Sequence, residues 1–417
     1  MSPKDTIDDS SRTKPVDKIL LGPGPTNIDE RVKMALSREP MSHLDPDFFI
    51  ILDNISELLR KIFQTENSTT FAISGTGSSG MEMSMANILE ENDRILVLKN
   101  GVFGERMSDV ASRYGADIIE MNVDWGKSFN QEDVIKKIKS ISNLKAVSIV
   151  HAETSTGILQ DLNYIGEYLK NTDIIFIVDT VTSLSGVEIQ TDDWGIDVCY
   201  SGTQKCLSVP PGLSPITFSD KALKKIKRRN TKIPSWYLDL NMLMNYWGSE
   251  RIYHHTAPVN MLFALHEGLK ICHEEGLQNR FARHKENGDY FDLKLQEMGI
   301  MPFVDKTKYG SLPMLKSIFI PQGIDDSSFR KNLLSKKHIE FMQIILDESG
   351  YSEMLKNKKD IESEGRLENI KELLRGMREF ENLESFLEHV ALATSIDEDW
   401  KGKKVNLMTM HAAKGLE

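Results

Sequence analysis

Short apolar runs that end in small or polar residues alternate along this chain with longer amphipathic ones, and that alternation limits the folds open to it. "RILVLKNG" (94–101), "KAVSIVHAE" (145–153), "DIIFIVDTV" (173–181) and "DVCYSGTQK" (197–205) read as buried strands. Between them, "GERMSDVASRYGA" (104–116), "QEDVIKKIKSIS" (131–142) and "NYIGEYLKN" (163–171) space their apolar residues as helices do. Such a sequence predicts an α/β protein with a mainly parallel sheet between helices. Ligands of these folds sit beyond the carboxyl ends of the strands, so the polar residues there are the candidate site.

Charge and cysteine usage narrow the chemistry. The chain has 417 residues, enough for two or three domains, and a net charge of -11, which argues against nucleic acid and for a small-molecule ligand. Cys199, Cys206 and Cys272 are odd in number and lack metal-ligand spacing, which predicts a reducing compartment, the cytoplasm, and no metal. Residues 1–16 read as a polar N-terminal tail without the apolar core of a signal peptide, and no apolar run is long enough to span a membrane.

Five strand ends hold the candidate residues. In "ISGTGSSGMEMSMANIL" (73–89), Thr76, Gly77 and Ser78 open a helix and would offer backbone N–H groups to a phosphate; a tight turn with a capped helix reads equally well. Phe103, in "NGVFGERM" (100–107), is a flat side chain between glycines that fits a stacking partner or a core residue. "HAETSTG" (151–157) gathers hydroxyls at a strand end. Asp179 closes a run of apolar residues, where a carboxylate needs a cation or strong donors; a protonated aromatic nitrogen, a helix cap or an ion pair would each serve. Lys205 lies 26 residues further on, in "SGTQKCLSVPPG" (201–212), where burial would make its amine a nucleophile toward an aldehyde. Phosphate donors, a flat ring, a carboxylate for a ring nitrogen and a Schiff-base lysine together describe a receptor for pyridoxal 5'-phosphate.

Residues 17–334 resemble the class V aminotransferases of fold type I, most closely the alanine-glyoxylate and serine-glyoxylate (serine-pyruvate) group. Further blocks carry the match: "LLGPGPTNI" (20–28), "SHLDPDF" (42–48), "VDTVTSLSG" (178–186), "GIDVCYSGTQKCLSVPPGLS" (195–214) and "YHHTAPVN" (253–260). The resemblance implies a seven-stranded, mainly parallel sheet and an enzyme that transfers an amino group from serine or alanine to glyoxylate or pyruvate. It implies that Lys205 holds the cofactor as a Schiff base and moves the substrate proton, that Asp179 keeps the pyridine nitrogen protonated, and that Phe103 and Val181 pack on the two ring faces. Thr154 or Ser155 would bond the ring hydroxyl. Thr76, Gly77, Ser78 and Gln204 would hold the phosphate, with Tyr253 and Thr256 of a second subunit, so a homodimer with a shared site follows.

The family's small C-terminal domain, with the arginine that clamps the substrate carboxylate, finds no counterpart after "IPQGIDDSSFRKNLL" (320–334). Residues 335–417 instead read as helical, with Leu367, Ile370, Leu374 and Met377 on one face and Leu383, Phe386, Leu387 and Val390 on another. "ESGYSEML", "EGRLENIKELL", "FLEHVAL" and "VNLMTMHAAKGLE" resemble a fragment of UvrD-like superfamily I DNA helicases, in which His411, Lys414 and Glu417 would matter. The chain lacks a nucleotide-binding G-x-x-x-x-G-K-[ST] loop, and its tail holds 13 Lys and Arg against 17 Asp and Glu. The expectation is a chimeric chain joined near Leu334. Three readings follow: a transaminase, a cofactor-binding protein crippled by the lost arginine, and a helicase fragment without ATPase activity. A cysteine desulfurase is a rival within the fold, for which Cys206 beside Lys205 is poorly placed.

Overall fold

The computed structural model describes residues 20–320, 323, 325 and 361–377. Residues 20–320 belong to one compact unit, and the helix at 361–377 to another.

In the larger unit the elements run α1 (Glu30–Leu36), α2 (Pro46–Phe63), β1 (Thr69–Ser74), α3 (Gly77–Ile88), β2 (Arg94–Lys99), α4 (Val102–Arg113), β3 (Asp117–Asn122), α5 (Gln131–Ser140) and β4 (Leu144–Val150). There follow β5 (Ala152–Glu153), β6 (Ile158–Leu159), α6 (Asn163–Lys170), β7 (Ile175–Asp179), β8 (Val198–Tyr200), β9 (Leu213–Phe218), α7 (Asp220–Lys227), α8 (Leu240–Trp247), α9 (Val259–Glu275), α10 (Leu277–Glu297) and β10 (Gly310–Ser311). Local chemistry fixes the helix starts: Asp45 accepts the Asp47 N–H ahead of α2, whose first residue is proline, and Asn130 accepts the Asp133 N–H ahead of α5.

The main sheet has seven strands in the order β1-β9-β8-β7-β4-β2-β3, all parallel except β9, which runs antiparallel to both β1 and β8. This is the predicted architecture. β7 is buried along its whole length, and Phe176, Ile177 and Val178 form the middle of the core. Register places Val150 of β4 beside Asp179 of β7, and Asp179 beside Tyr200 of β8, so three strands end together.

Two expected strands are shorter than their apolar runs. The run 145–153 divides at His151, because Ala152–Glu153 turns into a second sheet of order β10-β6-β5. The run 197–205 leaves the sheet after Tyr200, where Ser201 and Thr203 bond across to β9 and Ser208, at φ 55°, closes a turn onto the Lys205 carbonyl.

In the smaller unit, helix α11 spans Ile361–Met377. Leu367, Ile370 and Leu374 are half-buried on the expected face, while Leu373 is exposed. The expectations for residues 1–16, the junction at Leu334, the face at 383–390 and His411, Lys414 and Glu417 lie outside the described residues.

Candidate active site

Asp179 ends β7 at 2% exposure, with its carboxylate accepting the Val181 N–H at 2.8 Å. Burial pushes this carboxyl up to about 7; the Val181 bond and the nearby Tyr200 hydroxyl pull the other way, and the charge of Glu153 adds to the rise. The Tyr200 hydroxyl is itself buried and makes no hydrogen bond of good geometry. Among the described residues no ion pair reaches Asp179. A buried carboxylate without a cation is costly, so the site is built for a positive group that the protein does not supply.

Lys205 stands in the loop after β8, half-buried. Burial lowers its amine, partly offset by the neighbouring Cys206 and Asp179. Its Nζ donates to the Pro23 carbonyl. Gly24 packs along the lysine stem: a Cβ there would lie 2.8 Å from the Lys205 Cδ, and its φ of 118° is one that only glycine adopts freely. A cavity of about 420 Å³ opens beside Lys205, walled by Leu21, Pro23, Thr182, His284 and Phe291.

The third component is the start of α3. Thr76 is its exposed N-cap and makes no side-chain cap bond, Gly77 is buried and Ser78 exposed. A Cβ on Gly77 would meet the Val181 Cγ2 at 3.0 Å and the Gly202 Cα at 3.5 Å, so the helix N-terminus, the turn after Asp179 and the lysine loop converge on one spot. Gln204 brings a buried carboxamide oxygen with no partner.

Phe103, in the first turn of α4, is half-buried against the core, with the Arg106 guanidinium 4.9 Å from its ring centre. Thr154 and Ser155 follow β5 but differ in their partners. The Thr154 hydroxyl pairs with that of Thr182, a wall of the lysine cavity. The Ser155 hydroxyl donates to Glu153 at 2.6 Å and accepts the Val102 N–H at 3.2 Å. Tyr253 and Thr256 are exposed, while their neighbour His255 bonds the Ser74 hydroxyl at the end of β1.

The fold therefore gathers Asp179, Lys205, Thr76, Gly77, Ser78, Val181, Gln204, Phe103 and Thr154 at the carboxyl ends of the sheet strands, and leaves Tyr253 and Thr256 facing outward. Glu153, Tyr200 and Thr182 also lie at this end and escaped the sequence reading. Glu153 carried the same signal as Asp179, a carboxylate after an apolar run.

The family model described as Aminotransferase class-V matches residues 30–341. The chain belongs to the class-V aminotransferase family. The match begins 13 residues after the expected start at 17 and ends seven beyond Leu334. The crystal structure of alanine–glyoxylate aminotransferase from Nostoc sp. superposes with a TM-score of 0.76 at 42% identity, over 80% of this chain and 88% of that one. The (S)-ureidoglycine–glyoxylate transaminase of Bacillus subtilis is 38% identical over 78% of this chain and 81% of its own. The alanine–glyoxylate aminotransferase of Felis catus is 40% identical over 74% and 75%. The family match takes in residues 335–341 of the segment that resembles a helicase fragment, and none of these likenesses supports that resemblance. Members of this family work with pyridoxal phosphate, and the residues present fit it: Asp179 lacks a cation, and backbone donors open α3.

Proposed function

We propose that this protein transfers the amino group of alanine or serine to glyoxylate, with pyruvate as an alternative acceptor. The observation that carries the reading is the opposed tuning of two groups at the carboxyl end of the sheet, Lys205 lowered and Asp179 raised by burial. Glyoxylate appears in the names of the relatives above, which supports it as acceptor. Bound here, pyridoxal phosphate supplies an aldehyde and an electron-accepting ring. Asp179 would meet the ring nitrogen and keep a proton there. Thr76, Gly77, Ser78 and the Gln204 carboxamide would hold the phosphate, Phe103 and Val181 would pack on the ring, and Thr154, with Ser155 as the alternative, would bond the ring hydroxyl. The Lys205 amine moves the proton at the substrate α-carbon, for which its lowered basicity suits it.

Exposed Tyr253 and Thr256 support a homodimer in which each reaches the partner's phosphate. The three cysteines are free and buried, in keeping with a cytoplasmic home. The Cys206 thiol, buried, bonded to the Thr182 carbonyl and pushed up to about 11, does not suit a desulfurase nucleophile.

A second reading, a cofactor receptor with impaired transfer, draws on the cavity wall. Among its described lining residues there is no arginine, and Lys316, the one cation besides Lys205, is tied to Asp292 and Ser311. We also propose that the residues after the family match are a foreign, helicase-like segment. An assay of glycine formed from glyoxylate separates the readings. Product that depends on alanine or serine supports the transaminase, and none, with cofactor bound, supports the impaired receptor.

A further inference from the structure

Glu153 is fully buried, yet it neither reaches the cavity beside Lys205 nor forms an ion pair among the described residues. Its oxygens are divided between two elements of the site. Oε2 accepts the backbone N–H groups of Phe103, at 3.1 Å, and Gly104, at 3.4 Å. Oε1 accepts the N–H of Ser155 at 3.1 Å and its hydroxyl at 2.6 Å. Ser155 completes the set by accepting the Val102 N–H. The first three N–H groups of α4 are thus satisfied from the turn after β5.

A helix start normally finds such acceptors in its own N-cap side chain. Here the N-cap is Gly101, which has none. The absence is required: a Cβ at 101 would lie 2.4 Å from the Glu153 Cγ and 2.6 Å from the Ser155 Oγ. Glycine at 101 and glutamate at 153 are one device, in which a buried carboxylate from another element takes the place of the cap.

We propose that Glu153 is a positioning residue for the cofactor: by capping α4 it fixes where Phe103 presents its ring. This rests on the cofactor reading given above. The charge of Glu153 also raises Asp179, so a test must separate placement from charge.

The test compares the wild type with Glu153→Gln and Gly101→Ala, each loaded with pyridoxal phosphate. Two properties are read: the rate at which the bound cofactor's visible absorption is lost on dialysis, and the circular dichroism of that band per cofactor bound. Thermal unfolding without cofactor runs alongside. Glu153→Gln keeps the size but loses one acceptor oxygen; Gly101→Ala keeps the charge and displaces the carboxylate. Both are expected to release cofactor about tenfold faster, the equivalent of one hydrogen bond to a charged group, with a weaker dichroic band. Retention and dichroism within about twofold of wild type in both folded variants would overturn the proposal, as would an effect confined to Glu153→Gln. If either variant does not fold, Glu153→Asp, which keeps the charge but draws it back from the Phe103 and Gly104 N–H groups, is expected to weaken retention by a smaller factor, and an unchanged value contradicts the device. A wild type that shows no visible band would instead overturn the cofactor reading beneath it.

Discussion

At the scale of single residues, the chemistry of Asp179 follows from where β7 stops. Its carboxyl moves from 3.8 to about 7 because burial penalises the charge. Between those values the folded chain holds a proton that the unfolded chain has released. Stability is therefore fully present below the unfolded value and is lost as pH rises through about 7. Cofactor-free wild type is expected to lose up to a few kcal/mol relative to Asp179→Asn between about pH 4 and 8, as followed by urea unfolding at each pH. A constant difference would mean that burial does not set the state of this group. Asp179 and Lys205 were legible in the sequence because each follows an apolar run that fixes its place. Glu153 also follows an apolar run but was not singled out, and "HAETSTG" says nothing of Gly101 lying against it, a contact between segments distant in the chain.

At the scale of elements, close backbone approach positions the phosphate end of the site. α3 rests on β8 and β9 through Gly80, where a Cβ would come within 2.4 Å of the Ser214 Oγ and 2.9 Å of the Tyr200 Cβ. Gly80→Ala is expected to cost about 1–3 kcal/mol by overpacking. Its effect on cofactor retention should be larger than that of Gly299→Ala, beyond the end of α10, where a Cβ would meet nothing within 4 Å; equal effects would show that α3 tolerates displacement. The expected helices at 104–116, 131–142 and 163–171 appear as α4, α5 and α6 with ends shifted by a few residues. Helix spacing shows in sequence because one face is buried. The breaks in the runs 145–153 and 197–205 did not show, because they come from pairing: β5 joins a second sheet, and the lysine loop bonds across to β9. β3, none of whose residues is buried, lacks the continuous apolar signal of its neighbours.

At the scale of the whole molecule, the family match covers residues 30–341 and the site lies within it. If Tyr253 and Thr256 serve a partner subunit, a mixture of inactive Lys205→Ala and weakened Tyr253→Ala chains, refolded together, should regain activity through dimers carrying one intact site. Activity no greater than that of the separate variants would contradict the shared site. The count of seven strands was available only through resemblance and their order not at all, since periodicity does not say which strands are neighbours. The central claim is that Lys205 holds pyridoxal phosphate and that an amino acid then reacts there. The measurement that tests it most directly is the visible absorption of the protein with pyridoxal phosphate, before and after L-alanine or L-serine, beside Lys205→Ala. A band that requires Lys205 and shifts with the amino acid is the predicted result. No band, or one that survives unchanged in Lys205→Ala, would contradict the account.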